Sequence, residues 1–288
     1  MSGATPVQPP PRARRGRLVR VAVAAAIALL LALVALPFAG LLARVSAAAL
    51  ASRLVTPAVL DALRLSLVTS LAATAVVVLL GVPTAYVLAT RDFPGKRMVE
   101  VLLALPMVLP PTVAGFALLM AFGRMGLAGQ WLQAAGWTLP FTTAGVVLAQ
   151  VFMAAPFFIS PARAGFAGVD RRLLETAATL RASEAQRFWR VVLPLAAPSL
   201  LAGVSLAGAR ALGEFGATIT FAGNLPGVTQ TMPLAVYVAL QSDLDTAVVL
   251  SVILLVMSFG LLLGLRAAPA GWLGTGARAR RPGQAPAR

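Results

Sequence analysis

Long apolar runs alternate with short basic ones along this chain. Six stretches, 21–43, 65–89, 101–122, 139–159, 192–220 and 246–265, are almost free of charge. Each is near the roughly 20 apolar residues that a helix needs to cross a bilayer. In hydrocarbon a span satisfies its own backbone, so each run predicts a transmembrane helix. The fold class expected is all-α, a polytopic membrane protein of six transmembrane helices. The third run contains Pro106, Pro110 and Pro111. Prolines break the helical ladder, so this run reads either as a packing kink or as backbone lining a pore.

Composition agrees: 59% of the 288 residues are hydrophobic and 11% charged, with a mean hydropathy of +0.88. A soluble domain carries about a quarter charged residues. The chain has no cysteine and no histidine. That removes thiol catalysis, disulfides and zinc sites built on those side chains. The nine acids are scattered, so no metal site and no catalytic residue is assigned. An integral-membrane transferase, the alternative from another class, would need clustered acids or a basic diphosphate site.

The net charge of +15 changes the picture only through its distribution. Nineteen of 24 basic residues fall in four segments: the N-terminal tail, 91–97, 163–190 and the C-terminal tail. Basic loops stay in the cytoplasm. With six spans, all four segments share that side, and both termini are expected there. The charge is a topology signal and implies no nucleic acid. The first apolar run is longer than the 7–15 residues of a signal peptide, so a retained helix is expected. Segments 1–20 and 267–288 read as disordered basic tails, and 21–56 as an additional helix with an outer loop.

Between the fourth and fifth runs lies "ETAATLRASEAQRFWRVVLP", 175–194. Asp170 is placed to cap a helix here. Small residues at 176–178 leave a shallow surface for another body to approach, and Pro194 is expected to close this helix and open the next span. On its own the segment could equally be an amphipathic interfacial helix.

The same residues resemble a known pattern. Importer-type permeases of ATP-binding-cassette transporters carry E-A-A, three residues, G, nine residues, then I-x-L-P. Glu175, Ala177 and Val191–Val192–Leu193–Pro194 match at that spacing; Thr176 and Arg181 depart from it, Arg181 standing at the glycine. Arginine does not readily take the left-handed backbone that glycine permits, so a less sharp bend is expected. The resemblance implies that Glu175, Thr176, Ala177, Leu180, Arg181, Ala182 and Ser183 form a helix coupling to an ATPase. It spans about 57–265, a permease domain of 57–266 with its loop at 163–194. A phosphate-binding loop needs G-x-x-x-x-G-K-[ST], but the only lysine, Lys96, lies in "FPGKRM". No cofactor is expected on this chain, and ATP with magnesium belongs to a partner.

"LPMVLPPTVAGF", "GRMGLAG" and "RALGEFGATITFAGNLPGVTQTMPLAVYVAL" are similar to the molybdate permease subgroup; sulfate/thiosulfate permeases are near relatives, and the alternative the resemblance leaves is a sulfate/thiosulfate or tungstate importer. The resemblance implies a permease homodimer in the bacterial inner membrane, two cytoplasmic ATPases and an extracytoplasmic oxyanion-binding protein. Arg210 and Glu214 are unusual inside a span, where charges face the interior or a cavity. At i and i+4 they share a face. They are either a structural pair or a gate pair, with Gly213, Phe215, Gly216, Thr218, Pro110 and Pro111 as the other pore candidates. Thr220 and Asn224 would add polar groups. The stretch 221–235 is expected to be an outer loop or re-entrant segment.

Overall fold

The computed structural model describes residues 12–54 and 56–267, and among these there is no strand. Helix α1 is Arg12–Arg44, α2 Ala47–Leu54, α3 Pro57–Thr90, α4 Lys96–Val108 and α5 Pro111–Phe122. They are followed by α6 Gly129–Ala134, α7 Thr143–Ala167, α8 Arg171–Thr179 and α9 Glu184–Arg187. A π-helical turn at Phe188–Val192 leads into α10 Leu193–Leu212, then α11 Gly216–Phe221, α12 Met232–Ser242 and α13 Leu244–Ala267. Five helical stretches are long and apolar enough to span a bilayer; α4 with α5 makes a sixth if that bent pair is one span. The all-α membrane fold stands.

Several boundaries differ from expectation. α1 starts at Arg12, inside the tail expected to be disordered; arginine is a good helix former and lets the apolar helix extend. Residues 1–11 and 268–288 of the two tails lie outside the described residues. The third run is not one straight helix: between Val108 and Pro111 the chain bends by 120°. Leu109 and Pro110 are extended, with ψ of 138° and 133°. A residue preceding proline is pushed out of the helical region, and two successive prolines impose this twice. Pro111 then starts α5. The helix of the fourth run, α7, continues past 159 to Ala167, through Pro156 and Pro161.

Pro194 does not separate two helices. The stretch Glu184–Leu212 is continuous, because a π turn, closed by Leu193 N–H to the Phe188 carbonyl, carries the chain across the proline. The fifth span ends at Leu212, short of 220, and α11 is a separate helix.

The core is α7 packed between α3 and α10. Phe158 is fully buried. A Cβ on Gly81 of α3 would lie 2.5 Å from its ring, and one on Gly203 of α10 3.1 Å. Two glycines thus clasp one aromatic ring, the small-residue packing that draws helices together in lipid. The pairings Gly81–Phe158 and Tyr86–Phe166 make α3 and α7 parallel; Gly203–Phe158 and Ser199–Gly165 make α10 antiparallel. The basic segments 91–97 and 163–190 therefore meet at one end, where Arg163 pairs with Glu100 at 3.4 Å. Most of α1 is exposed, and its apolar side chains face outward.

Candidate functional site

The exposed basic end is built around α8. Asp170 caps it, its Oδ1 accepting from Arg172 N at 2.9 Å. No α8 residue is buried, and Leu173 and Leu180 lie 47% and 78% exposed. The helix stops in a closed hydrogen-bonded turn. Arg181 N donates to the Ala178 carbonyl at 2.9 Å and Ala182 N to the Ala177 carbonyl at 3.1 Å. These are the two bonds of a Schellman motif, which needs a left-handed residue at the position Arg181 holds. Its φ is +59°. The sharp bend is therefore kept despite the arginine, contrary to the sequence expectation: the two bonds outweigh the strain of a side chain in that region. Ser183 begins α9 with a capping box, its Oγ accepting from Gln186 N and its N–H donating to Gln186 Oε1.

The second site lies where α10 ends. Arg210 and Glu214 do pair: Nη2 stands 2.5 Å from Oε2, and Glu214 is fully buried while Arg210 keeps 22% exposure. The contact is electrostatic and lacks the alignment of a hydrogen bond. The other carboxylate oxygen, Oε1, accepts from Ala217 N at 2.7 Å. Glu214 therefore ties the last turn of α10 to the first turn of α11 across the break at 213–215. Arg210 also stands 6.0 Å over the Phe157 ring of α7.

The two broken helices meet. A Cβ on Gly216 would lie 2.7 Å from Pro111 Cβ, and one on Gly115 2.7 Å from the Ala217 carbonyl oxygen. Pro111 and Gly216, two of the pore candidates, are thus in contact through α5 and α11. Phe215 instead stacks near Tyr237 at 5.1 Å, while Pro110 and Gly213 are exposed. Thr218 is fully buried with its hydroxyl unbonded, and Asn224 Oδ1 is likewise buried without a partner. Thr220 offers no free hydroxyl, since Oγ1 donates to the Gly216 carbonyl.

The stretch 221–235 divides into a turn and the start of α12. Gly223 and Gly227 take φ of +74° in that turn, and Thr143 Oγ1 donates to the Val228 carbonyl. Sequence reading missed α12 and its anchors: Met232 N donates to the buried Ser66 Oγ at 2.7 Å. It also missed the clamp of Arg53 on Asp243. Asp243 accepts from Thr246 Oγ1 and Thr246 N, and these bonds, helped by Arg53, hold its carboxyl below the usual aspartate range despite desolvation. Asp-x-x-Thr ahead of an apolar run was the available cap signal.

The chain is thus a multi-pass helical membrane protein with an exposed capped helix at its basic end and two broken helices in contact. Residues 78–266 match the family described as binding-protein-dependent transport system inner membrane component, and the chain belongs to that family. It is 46% identical over 236 residues to the molybdenum transport system permease protein ModB of Mycobacterium tuberculosis, covering 81% of this chain and 89% of that one. It is 34% identical over 210 residues to a probable sulfate transport system permease protein cysT of Chlorokybus atmophyticus, with 73% of each covered. The fold is shared with a bacterial alginate ABC transporter solved with an alginate pentasaccharide-bound periplasmic protein. The TM-score is 0.70 at 15% identity, covering 92% of this chain and 98% of that one.

Proposed function

We propose that this chain is the pore-forming subunit of an ATP-driven molybdate importer. The observation that carries the reading is the identity with the molybdenum permease of M. tuberculosis over most of both chains. Two copies form the passage in the bacterial inner membrane, with both termini cytoplasmic. Two cytoplasmic ATPases bind ATP with magnesium and hydrolyse it, and an extracytoplasmic protein delivers the oxyanion. The chain itself carries no cofactor and makes no covalent bond.

In this reading α8 docks on the ATPase through Glu175–Ser183, with Leu180 as an exposed apolar contact. ATP closure draws the two α8 helices together, and the motion passes up the unbroken Glu184–Leu212 helix to its end. There the Arg210–Glu214 pair joins it to α11, which rests on α5. A continuous helix from the turn after the docking surface to the helix break suits alternating access, since a displacement at one end can reach the other. Glu214 neutralises Arg210, so in this reading the pair locks the helix break and does not itself bind the oxyanion.

The sulfate relative supports a second reading, an importer of sulfate or thiosulfate. Uptake of labelled molybdate by the assembled transporter, competed with tungstate and sulfate, separates them. Molybdate uptake suppressed by tungstate but not by sulfate is expected. Strong competition by sulfate at equal concentration would favour the second reading.

A further inference from the structure

The side of α3 and α10 that faces away from α7 carries a long groove. In its first half α13 lies over it, and Met257 and Leu261 close a cavity against Ser70, Thr74 and Gly208. No α13 residue lines the second half. There an open slot of about 630 Å³ runs between Val82, Pro83, Leu193, Leu200 and Val204, with Phe158 at its base. Beside it Leu79 is 73% exposed.

The slot ends at an aromatic partition. Phe188 stands edge-on to Tyr86 at 4.9 Å and to Trp189 at 5.3 Å, and Trp189 is 65% exposed. These three residues also line a second cavity of about 340 Å³, with Arg91, Arg187 and Glu184. Neither arginine makes an ion pair among the described residues. Arg187 Nε is buried and lacks an acceptor. The two cations outnumber the one carboxylate.

An apolar slot, an exposed tryptophan and a basic pocket follow one another in the order of acyl chain, interface and headgroup. Tryptophan settles at headgroup level. Basic pockets between transmembrane helices hold anionic headgroups, and guanidinium groups suit phosphate oxygens. We propose that the paired cavities bind one anionic phospholipid, its acyl chain in the α3–α10 slot and its phosphate on Arg187 and Arg91. The pocket also includes Leu174 of α8 and Ala185 of α9. A bound lipid therefore braces the α8–α9 segment against the bundle, whichever oxyanion the transporter carries.

The test uses the full transporter with its ATPase, delipidated in detergent and titrated with phosphatidylglycerol or phosphatidylcholine. Bound lipids are counted by native mass spectrometry. One phosphatidylglycerol is expected to be retained in preference to phosphatidylcholine. Arg187→Gln should weaken that retention about fivefold, and Arg91→Gln with it by more, with a smaller loss for phosphatidylcholine, whose choline already offsets its phosphate. Leu200→Trp, which fills the slot, should lower both. Equal retention of the two lipids, or a double arginine variant that still holds phosphatidylglycerol, overturns the proposal. Because the chain has no cysteine, Leu79→Cys can be paired with single cysteines placed along α1. A crosslink between two copies through that pair would put a protein helix in the slot and equally overturn it.

Discussion

Replacing Arg181 by glycine should stabilise the turn after α8. Arg181 sits at φ +59°, and a non-glycine residue in the left-handed region costs roughly 1–2 kcal/mol. Glycine avoids that cost but gives up about 0.5–1 kcal/mol more backbone entropy on ordering. The difference favours Arg181→Gly by about 0.5–1 kcal/mol, a two- to fivefold change in local opening, taking 1.4 kcal/mol as about tenfold. The two Schellman bonds, from Arg181 N and Ala182 N, are backbone bonds and survive the change. Hydrogen exchange of the 171–187 segment in the purified transporter reads this opening directly. Arg181→Gly should slow exchange by about two- to fivefold. Arg181→Val, β-branched and worse suited to positive φ, should speed it. Arg181→Asn removes the charge while tolerating the conformation, so it should fall on the glycine side. If Arg181→Gly exchanges faster than the native chain, the arginine side chain supports the turn by more than its backbone strain costs, and the reasoning fails.

Breaking the Arg210–Glu214 pair strands a charge. Arg210→Ala leaves a fully buried carboxylate and should cost about 3–5 kcal/mol if the site is dry, read as lower membrane abundance; removing both should be less harmful than Arg210→Ala alone, and equal losses would refute the pairing. Gly81→Val forces a side chain into the Phe158 ring; such overpacking costs about 1–3 kcal/mol, and an unchanged melting temperature would show that α3 and α7 can separate without penalty. The Arg53–Asp243 clamp should depend on pH. The folded carboxyl is held below its usual value, so its contribution is present above about pH 4 and is lost as pH falls through the lowered value. Protease release of the α1–α2 segment should rise below about pH 4 in the native chain, while Asp243→Asn should show no such step.

Hydropathy and charge placed the spans, because a bilayer enforces length and apolarity residue by residue, whatever the neighbours do. The run at 246–265 became α13 with small changes at its ends, and the run at 21–43 became α1, which extends back to Arg12. Local chemistry was equally legible at Asp170, which caps α8 as its position announces. The prolines at 110 and 111 marked a disturbance, but its size, a 120° turn, depends on α5 reaching α11. The break at 213–215 carries no proline. It is bridged by Glu214, which is buried and divides its two oxygens between Arg210 and the α11 backbone. Residue spacing shows that Arg210 and Glu214 can meet, yet not that the helix ends between them. Arg181 departs from the glycine of the family pattern, and only the closed hydrogen-bonded turn reveals that it takes the glycine conformation. α12 was missed for a related reason. Its 11 residues are too few to cross a bilayer, and Ser66, 166 positions away in the chain, receives its first amide. What the sequence determined by itself is what each segment owes to its solvent, lipid or water. Tertiary structure decided the breaks, the buried pair and the strained turn, because each is held by partners from another helix or by bonds that form only once the chain has closed.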